Sequence, residues 1–449
     1  MNKQNNNLIL CTPCKTTKTN IGTFRFDSYH SMSKTDFIRL SFASIGMFIA
    51  LFLIVSTTHA QTVRTGIEVL RDQQFRLLQG KRVGLITNPT GVDSKLKSTI
   101  DILFEAPQVK LVALFGPEHG VRGDVHAGDK VDNRTDPHTG LPVYSLYGAT
   151  RKPTPDMLKG IDVLVYDIQD NGCRSFTYIS TMGLAMEAAA EHNIEFVVLD
   201  RPNPLGGLKI EGNLTEEGFI SFVSQFKIPY LYGLTCGELA LMLNGERMLQ
   251  AACKLTVVRM KGWKRRMNWE DTRLEWVVAS PHIPHKHSSY FYPMTGILGE
   301  LGYVSIGVGY TLPFEIVGAP WINAEKLSNA LNALKLAGVT FRPIHFKPFY
   351  ATFKDEFCGG VQIHLTNFRK ARLTEIQFYI MQEMNKLYPE KAVFKNANQA
   401  RFNMFDKVSG SDQIRLRFAE NHRFDDIREY FRKDEDAFRK LSKKYHLYK

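Results

Sequence analysis

The sequence predicts an α/β protein built on a doubly wound parallel sheet, followed by a smaller α+β C-terminal domain. Three observations carry this. Between residues 82 and 202, short aliphatic runs alternate with helix-like segments, the pattern of strands buried on both faces and joined by crossover helices. The 449 residues exceed what one hydrophobic core ordinarily holds. Beyond residue 287 the regular alternation gives way to a mixture of strand and helix patterns. The expected organisation is an N-terminal extension with an export signal over 1–60, the sheet domain over 61–287 and the α+β domain over 288–449.

The elements follow in order. RVGLITN (82–88), VKLVALFGPE (109–118), DVLVYDIQD (162–170) and EFVVLDRP (195–202) read as parallel strands. Residues 94–105 and 181–192 read as amphipathic helices, the second rich in Ala, Met and Glu. Residues 254–260 have strand character, and 280–292, dense in Pro, His, Tyr and Ser, read as a loop joining the domains. In the second domain 304–311, 339–346 and 360–365 read as strands, and 324–337, 373–387 and 427–445 as helices.

Composition narrows the class. At 44% apolar and 11% aromatic residues, disorder is excluded. The net charge is +12, of which residues 1–60 contribute six Lys/Arg against two Asp, leaving +8 for the rest. These charges are scattered, apart from clusters at 261–266 and 439–444 that read as solvated surface, so no nucleic-acid partner is expected. Lys34 and Arg39 precede an apolar run at 45–55 and then Thr58-His59-Ala60, the form of a secretory signal. The run is short for a membrane span. Translation from Met32 is expected, with a mature chain from about Gln61 that is periplasmic or extracellular and has no stable membrane insertion. Four cysteines then remain, with three full pairings open to them and none expected to be catalytic.

The polar residues sit where the strands end: Asn88, then Glu118 and His119, then Asp167, Gln169 and Asp170, then Arg201 and Asn203. In open α/β sheets ligands bind at that edge. Carboxyl groups so placed suit glycoside hydrolysis, in which one carboxyl protonates the leaving oxygen and a second group assists attack. Glu118 is the first candidate, because it follows an apolar strand and stands in a turn between Pro117 and His119, a position open to the partial burial that suits a general acid. Asp167 and Asp170 are the second carboxylates, followed by Arg174 and Tyr178; Glu211 is a weaker one. Arg122, Arg174 and Arg201 have the forked donors that grip a ligand carboxylate.

Other motifs are weaker. Ser94-Lys95-Leu96-Lys97 fits the SxxK pattern of penicillin-interacting enzymes, but no SDN or KTG partner follows. His282, His285 and His287 match no standard zinc spacing, and no metal is expected. The first strand leads into TNPTG rather than GxGxxG, and neither a Walker loop nor GxSxG is present.

Taken together, TNPTGVD (87–93), FGPEHGVRGD (115–124), YDIQDNGCRSFTYI (166–179), LDRPNPLGG (199–207), PYLYGLTCGELA (229–240), PFEIVGAPW (313–321) and GGVQIH (359–364) resemble the exo-β-N-acetylmuramidase family. The likeness runs in order from about Arg82 to the final HLYK. It implies a Rossmann-like N-terminal domain with the active site beside a C-terminal auxiliary domain. It also implies release of N-acetylmuramic acid from the non-reducing ends of peptidoglycan fragments in cell-wall turnover or recycling, without a cofactor. Muropeptides or disaccharides would be the partners. The GPEHG glutamate falls on Glu118, the YDIQD carboxylates on Asp167 and Asp170, and the pocket-lining DRPNP residues on Arg201 and Asn203. The arginines would meet the lactyl carboxylate of muramic acid. This chain departs from the family at 299–311, where GELGYVSIGVGYT replaces a pattern near EGTNxSxGRGT and Val308 replaces an arginine, a change that bears on substrate length or attached peptide. Two rival readings are a non-catalytic muropeptide-binding protein using the same cleft, and a penicillin-interacting serine hydrolase acting through Ser94 and Lys97.

Overall fold

The computed structural model describes residues 62–118, 120–123 and 134–449, so the expected signal over 1–60 and His119 lie outside the described residues. The aliphatic runs form a seven-stranded sheet from β1 (Arg82–Thr87), β2 (Lys110–Gly116), β3 (Arg134–Thr135), β4 (Pro142–Ser145), β5 (Val163–Asp167), β6 (Glu195–Leu199) and β7 (Lys254–Val258). The spatial order is β3-β4-β2-β1-β5-β6-β7, and all neighbours are parallel except the short β3–β4 pair. β1 lies between β2, with Leu85 opposite Leu114, and β5, with Leu85 opposite Val165. The connections leave β1 and β5 toward opposite edges, so the topological switch lies between these two strands.

Strand alternation divides the apolar side chains between two layers. Val83, Leu85, Leu114, Val163, Val165 and Val197 face one core, completed by the helices Gly66–Asp72 and Thr99–Phe104. Ile86, Phe115, Leu164, Tyr166 and Phe196 face the other, against the helices Tyr178–Glu191 and Cys236–Gly245. The sheet is therefore doubly wound, as the sequence predicts.

The second core does not stop at the end of this sheet. It continues without a break into a three-stranded antiparallel sheet of order β8-β10-β9, formed by β8 (Ile316–Ala319), β9 (Val339–Phe346) and β10 (Cys358–Leu365), and into the helices that follow. Arg174 bridges the halves from within. Its fully buried guanidinium donates to the carbonyls of Asn213, Ile228 and Val408 at 2.8, 2.7 and 3.0 Å and to Ser224 at 3.1 Å. The chain's end is tied down as well: the Tyr448 hydroxyl donates to Asp200 at 2.6 Å and accepts from the Met260 amide, while the Leu447 amide donates to Glu238.

Several elements differ from expectation for visible reasons. Residues 94–97 are a turn, because Asp93 accepts the amides of both Lys95 and Lys97, and the helix starts only at Thr99 behind a Ser98 cap. The second half of the expected 280–292 loop opens the helix Ser288–Gly299. Residues 304–311 alternate like a strand, but Gly307 and Gly309 turn left-handed there, with φ of 83° and 89°. The expected 427–445 helix is two helices, Phe424–Arg432 and Glu435–Ser442, interrupted where Asp434 accepts the Leu214 amide. Cys173, Cys236, Cys253 and Cys358 are free and buried. Among the described residues no helix is long and apolar enough to cross a membrane.

Replacing Arg174 with Met orphans three buried carbonyls. The expected loss is about 3 kcal/mol or more of unfolding free energy, read from urea titration; a midpoint equal to that of the parent would show that Arg174 does not tie the halves together.

Candidate active site

The C-terminal ends of β2, β4 and β5 open onto a cavity of about 550 Å³. Glu118 enters it from the turn after β2, Tyr147 and Arg151 from beyond β4, and Ser175 and Tyr178 from beyond β5. The opposite wall comes from the C-terminal half: Tyr292 and Glu300 on and just after the helix Ser288–Gly299, Phe314, and Met404 and Lys407 on the helix Phe402–Ser409. His282 closes one side.

The electrostatics centre on two carboxyl groups. Tyr147 hydrogen-bonds to Glu118, and partial burial, with the Glu118 charge and that bond behind it, pushes the phenol up to about 12. Tyr178 and Tyr292 are raised further by burial, and both feel the charge of Glu118. Tyr292 also feels Glu300, so its ring lies among both carboxyl groups. Burial raises the Glu300 carboxyl, opposed by the charge of Arg401. The hydroxyls are fixed: Tyr178 donates to the Ala279 carbonyl, and Ser175 bonds Tyr230 at 3.0 Å and Tyr292 at 3.1 Å. Of the cations, Arg151 lies 4.4 Å over the Phe222 ring, and Lys407 reaches the cavity from the other side.

Of the site residues expected from sequence, Glu118 and Tyr178 line this cavity, His119 lies outside the described residues, and the other described ones do not line it. Asp167, wholly buried, takes Arg201 on both oxygens at 2.5 and 3.0 Å and Thr99 at 2.5 Å. Nη2 of Arg201 also donates to the Val92 carbonyl. Arg122 is held by Asp136 and Asp101 at 2.7 and 3.1 Å, and Arg174 by the carbonyls described above. Asn203 braces its own loop, donating to the Leu234 carbonyl and accepting the Leu205 amide. Gln169 donates to the Pro202 and Asp170 carbonyls, and Asn88 accepts from Thr90. Asp170 is buried, bonded by the Tyr232 hydroxyl and the Gly172 amide, and burial pushes it up to about 6. Glu211 accepts from Thr374 at 3.0 Å. Ser94 donates to Glu68 while Lys97 pairs with Glu105, so the SxxK residues do not face one another. Sequence reasoning missed Glu300, Tyr147, Arg151 and Lys407. The departing 299–311 string was the available signal for Glu300.

Both halves also match one family. The N-terminal region of the exo-β-N-acetylmuramidase NamZ matches residues 83–287, and its C-terminal region matches 290–448. The chain belongs to the NamZ exo-β-N-acetylmuramidase family. The peptidoglycan β-N-acetylmuramidase NamZ of Bacillus subtilis (strain 168) is 46% identical over 392 residues, covering 87% of this chain and 93% of its own. Two crystal structures of DUF1343 family proteins from Bacteroides fragilis NCTC 9343 share the fold. One has 68% identity and a TM-score of 0.84 over 86% of this chain and 99% of its own. The other has 29% identity and a TM-score of 0.69 over 87% and 99%. The family and the two-domain Rossmann-like fold implied by the sequence strings are thereby borne out.

Asp170 gives this geometry a pH signature. Its ordinary value of 3.8 is raised to about 6, so between about pH 4 and about pH 6 the unfolded chain ionises it while the folded chain keeps it neutral. Stability contributed by the neutral group is therefore lost as pH rises through that window. Asp170→Asn is expected to flatten this segment of a Tm-versus-pH profile and to gain about 3 kcal/mol at pH 7; a profile parallel to that of the parent would contradict the assignment.

Proposed function

We propose that this protein is an exo-β-N-acetylmuramidase, a glycoside hydrolase that removes N-acetylmuramic acid from the non-reducing ends of peptidoglycan fragments in cell-wall turnover or recycling. The observation that carries the reading is the meeting of Glu118 and Glu300 in one cavity at the strand ends, in a chain of this family. Hydrolysis of a glycosidic bond requires a proton for the departing oxygen and a second group that assists attack on the sugar carbon. Glu300 suits the donor, because a carboxyl raised by burial keeps its proton closer to neutrality. Glu118, hydrogen-bonded by Tyr147, supplies the second group. Water completes the balance: its hydroxyl ends on the sugar carbon and its proton restores the acid.

Arg151 and Lys407 are the cations placed to meet the lactyl carboxylate, the charge that distinguishes muramic acid from glucosamine. They take the part that sequence reasoning gave to Arg122, Arg174 and Arg201, whose guanidinium groups are held by carboxylates and carbonyls and do not line this cavity. Asp167 and Asp170 act behind the site, holding the strand-end loops. The signal pattern before Gln61 supports an exported enzyme in the periplasm or outside the cell, where its substrate lies.

The test is release of free N-acetylmuramic acid from a disaccharide carrying that sugar at its non-reducing end. The protein from Gln61 onward should release it, and Glu118→Gln and Glu300→Gln should each lose at least ~100-fold. If the parent releases none while folded, the binding-protein reading replaces this one. In a pH profile of kcat/KM the proton donor sets the alkaline limb, so activity should fall as pH rises through the raised Glu300 value. An alkaline limb unchanged in the residual activity of Glu300→Gln would assign the donor elsewhere.

A further inference from the structure

Beside the cavity, the segment 347–357 holds aromatic rings in solvent: Phe349 is 64% exposed and Tyr350 51%. Two adjacent exposed rings make a contiguous apolar surface of the kind that marks a binding site, and these are held in place. The Tyr310 ring stacks on Phe349, with centroids 5.9 Å apart and 23° between planes, and rests in turn against Phe346 at 5.3 Å. The Phe349 amide donates to the Gly309 carbonyl at 2.7 Å. Gly309 has a φ of +89°, and a Cβ there would stand 2.0 Å from the Tyr350 carbonyl oxygen, so the turn at 307–311 lies against this loop only because it carries glycine. The Tyr350 hydroxyl is 2.9 Å from Nε2 of His282, and His282 lines the cavity. The rings are thus anchored at the cavity rim by the turn at 307–311 and by His282.

An enzyme that trims a chain from its end holds the terminal sugar in the cavity, and the rest of the chain leaves across the rim. Pyranose rings present C–H faces to such a surface. An aromatic ring already locked by its neighbours binds them with little loss of side-chain freedom. We propose that Phe349 and Tyr350, supported by Tyr310, form a shelf that binds amino-sugar rings of the glycan beyond the scissile bond, and so set a preference for longer fragments. This rests on the glycosidase reading and deepens it.

The experiment compares kcat/KM for release of N-acetylmuramic acid from the disaccharide and from the tetrasaccharide of two such repeats, for the parent, Phe349→Ala and Phe349→Trp. The parent should favour the tetrasaccharide. The tetrasaccharide-to-disaccharide ratio should fall about fivefold or more in Phe349→Ala, the size of one lost ring contact, and recover in Phe349→Trp. Equal use of both substrates by the parent, or a ratio unmoved in Phe349→Ala, overturns the shelf. If the parent hydrolyses neither substrate, the glycosidase reading fails instead, and calorimetric titration with the tetrasaccharide then decides: weaker binding by Phe349→Ala supports the shelf, and equal binding removes it.

Discussion

A carboxylate with no contact with solvent, Asp167 at the end of β5, meets the guanidinium of Arg201 just beyond β6, and the arrangement of the strand ends depends on that pair. Two buried charges are tolerated only with close geometry and their remaining hydrogen-bonding capacity satisfied. Thr99 supplies one further bond to Asp167, and the Val92 carbonyl accepts a second hydrogen bond from Nη2 of Arg201. The backbone carbonyl of Asp167 is in turn bonded by the Thr87 hydroxyl at the end of β1. The C-terminal ends of β1, β5 and β6 therefore cannot move independently. The loops that leave this edge start from fixed points, and one of them carries Ser175 and Tyr178 into the cavity.

The second sheet and its helices are a wall of the site rather than an appendage. Glu300, Tyr292 and Lys407 belong to the C-terminal half, while Glu118, Tyr147 and Arg151 belong to the first. Holding the two carboxyl groups in one cavity requires that the halves keep their relation within a fraction of an ångström to an ångström or so. A continuous apolar core and the buried Arg174 provide that rigidity. The same residue illustrates why an arginine in a motif is ambiguous, since carbonyl oxygens satisfy its fork as well as a substrate carboxylate does.

What the sequence disclosed, and what it withheld, follows from range. The strands β1, β2, β5 and β6 were legible because each is a local run of aliphatic residues, and the strand-end rule then led to Glu118. The roles of Asp167 and Arg201 were not, because their partnership joins residues 34 positions apart and looks, in one dimension, like two separate polar loop residues. Glu300 lies beyond the domain junction, and only folding brings it to Glu118. The misread strand at 304–311 has a local cause: Val304, Ile306, Val308 and Tyr310 alternate as a strand would, and the glycines between them decide otherwise. The family resemblance rested on many short strings at once, which is why it was more informative than any one of them.

The hydrogen bonds of Tyr448 have a temporal side. Asp200, just beyond β6, finds one of its donors in Tyr448, 248 residues later, and Glu238 finds another in Leu447. During synthesis the strands of the first sheet emerge from the ribosome long before these partners exist. Until residues 447 and 448 have been made, Asp200 and Glu238 lack these donors. Folding of the first sheet is thus coupled to residues made about 200 positions later, and a product truncated before Leu447 would lose the latch on its oldest part.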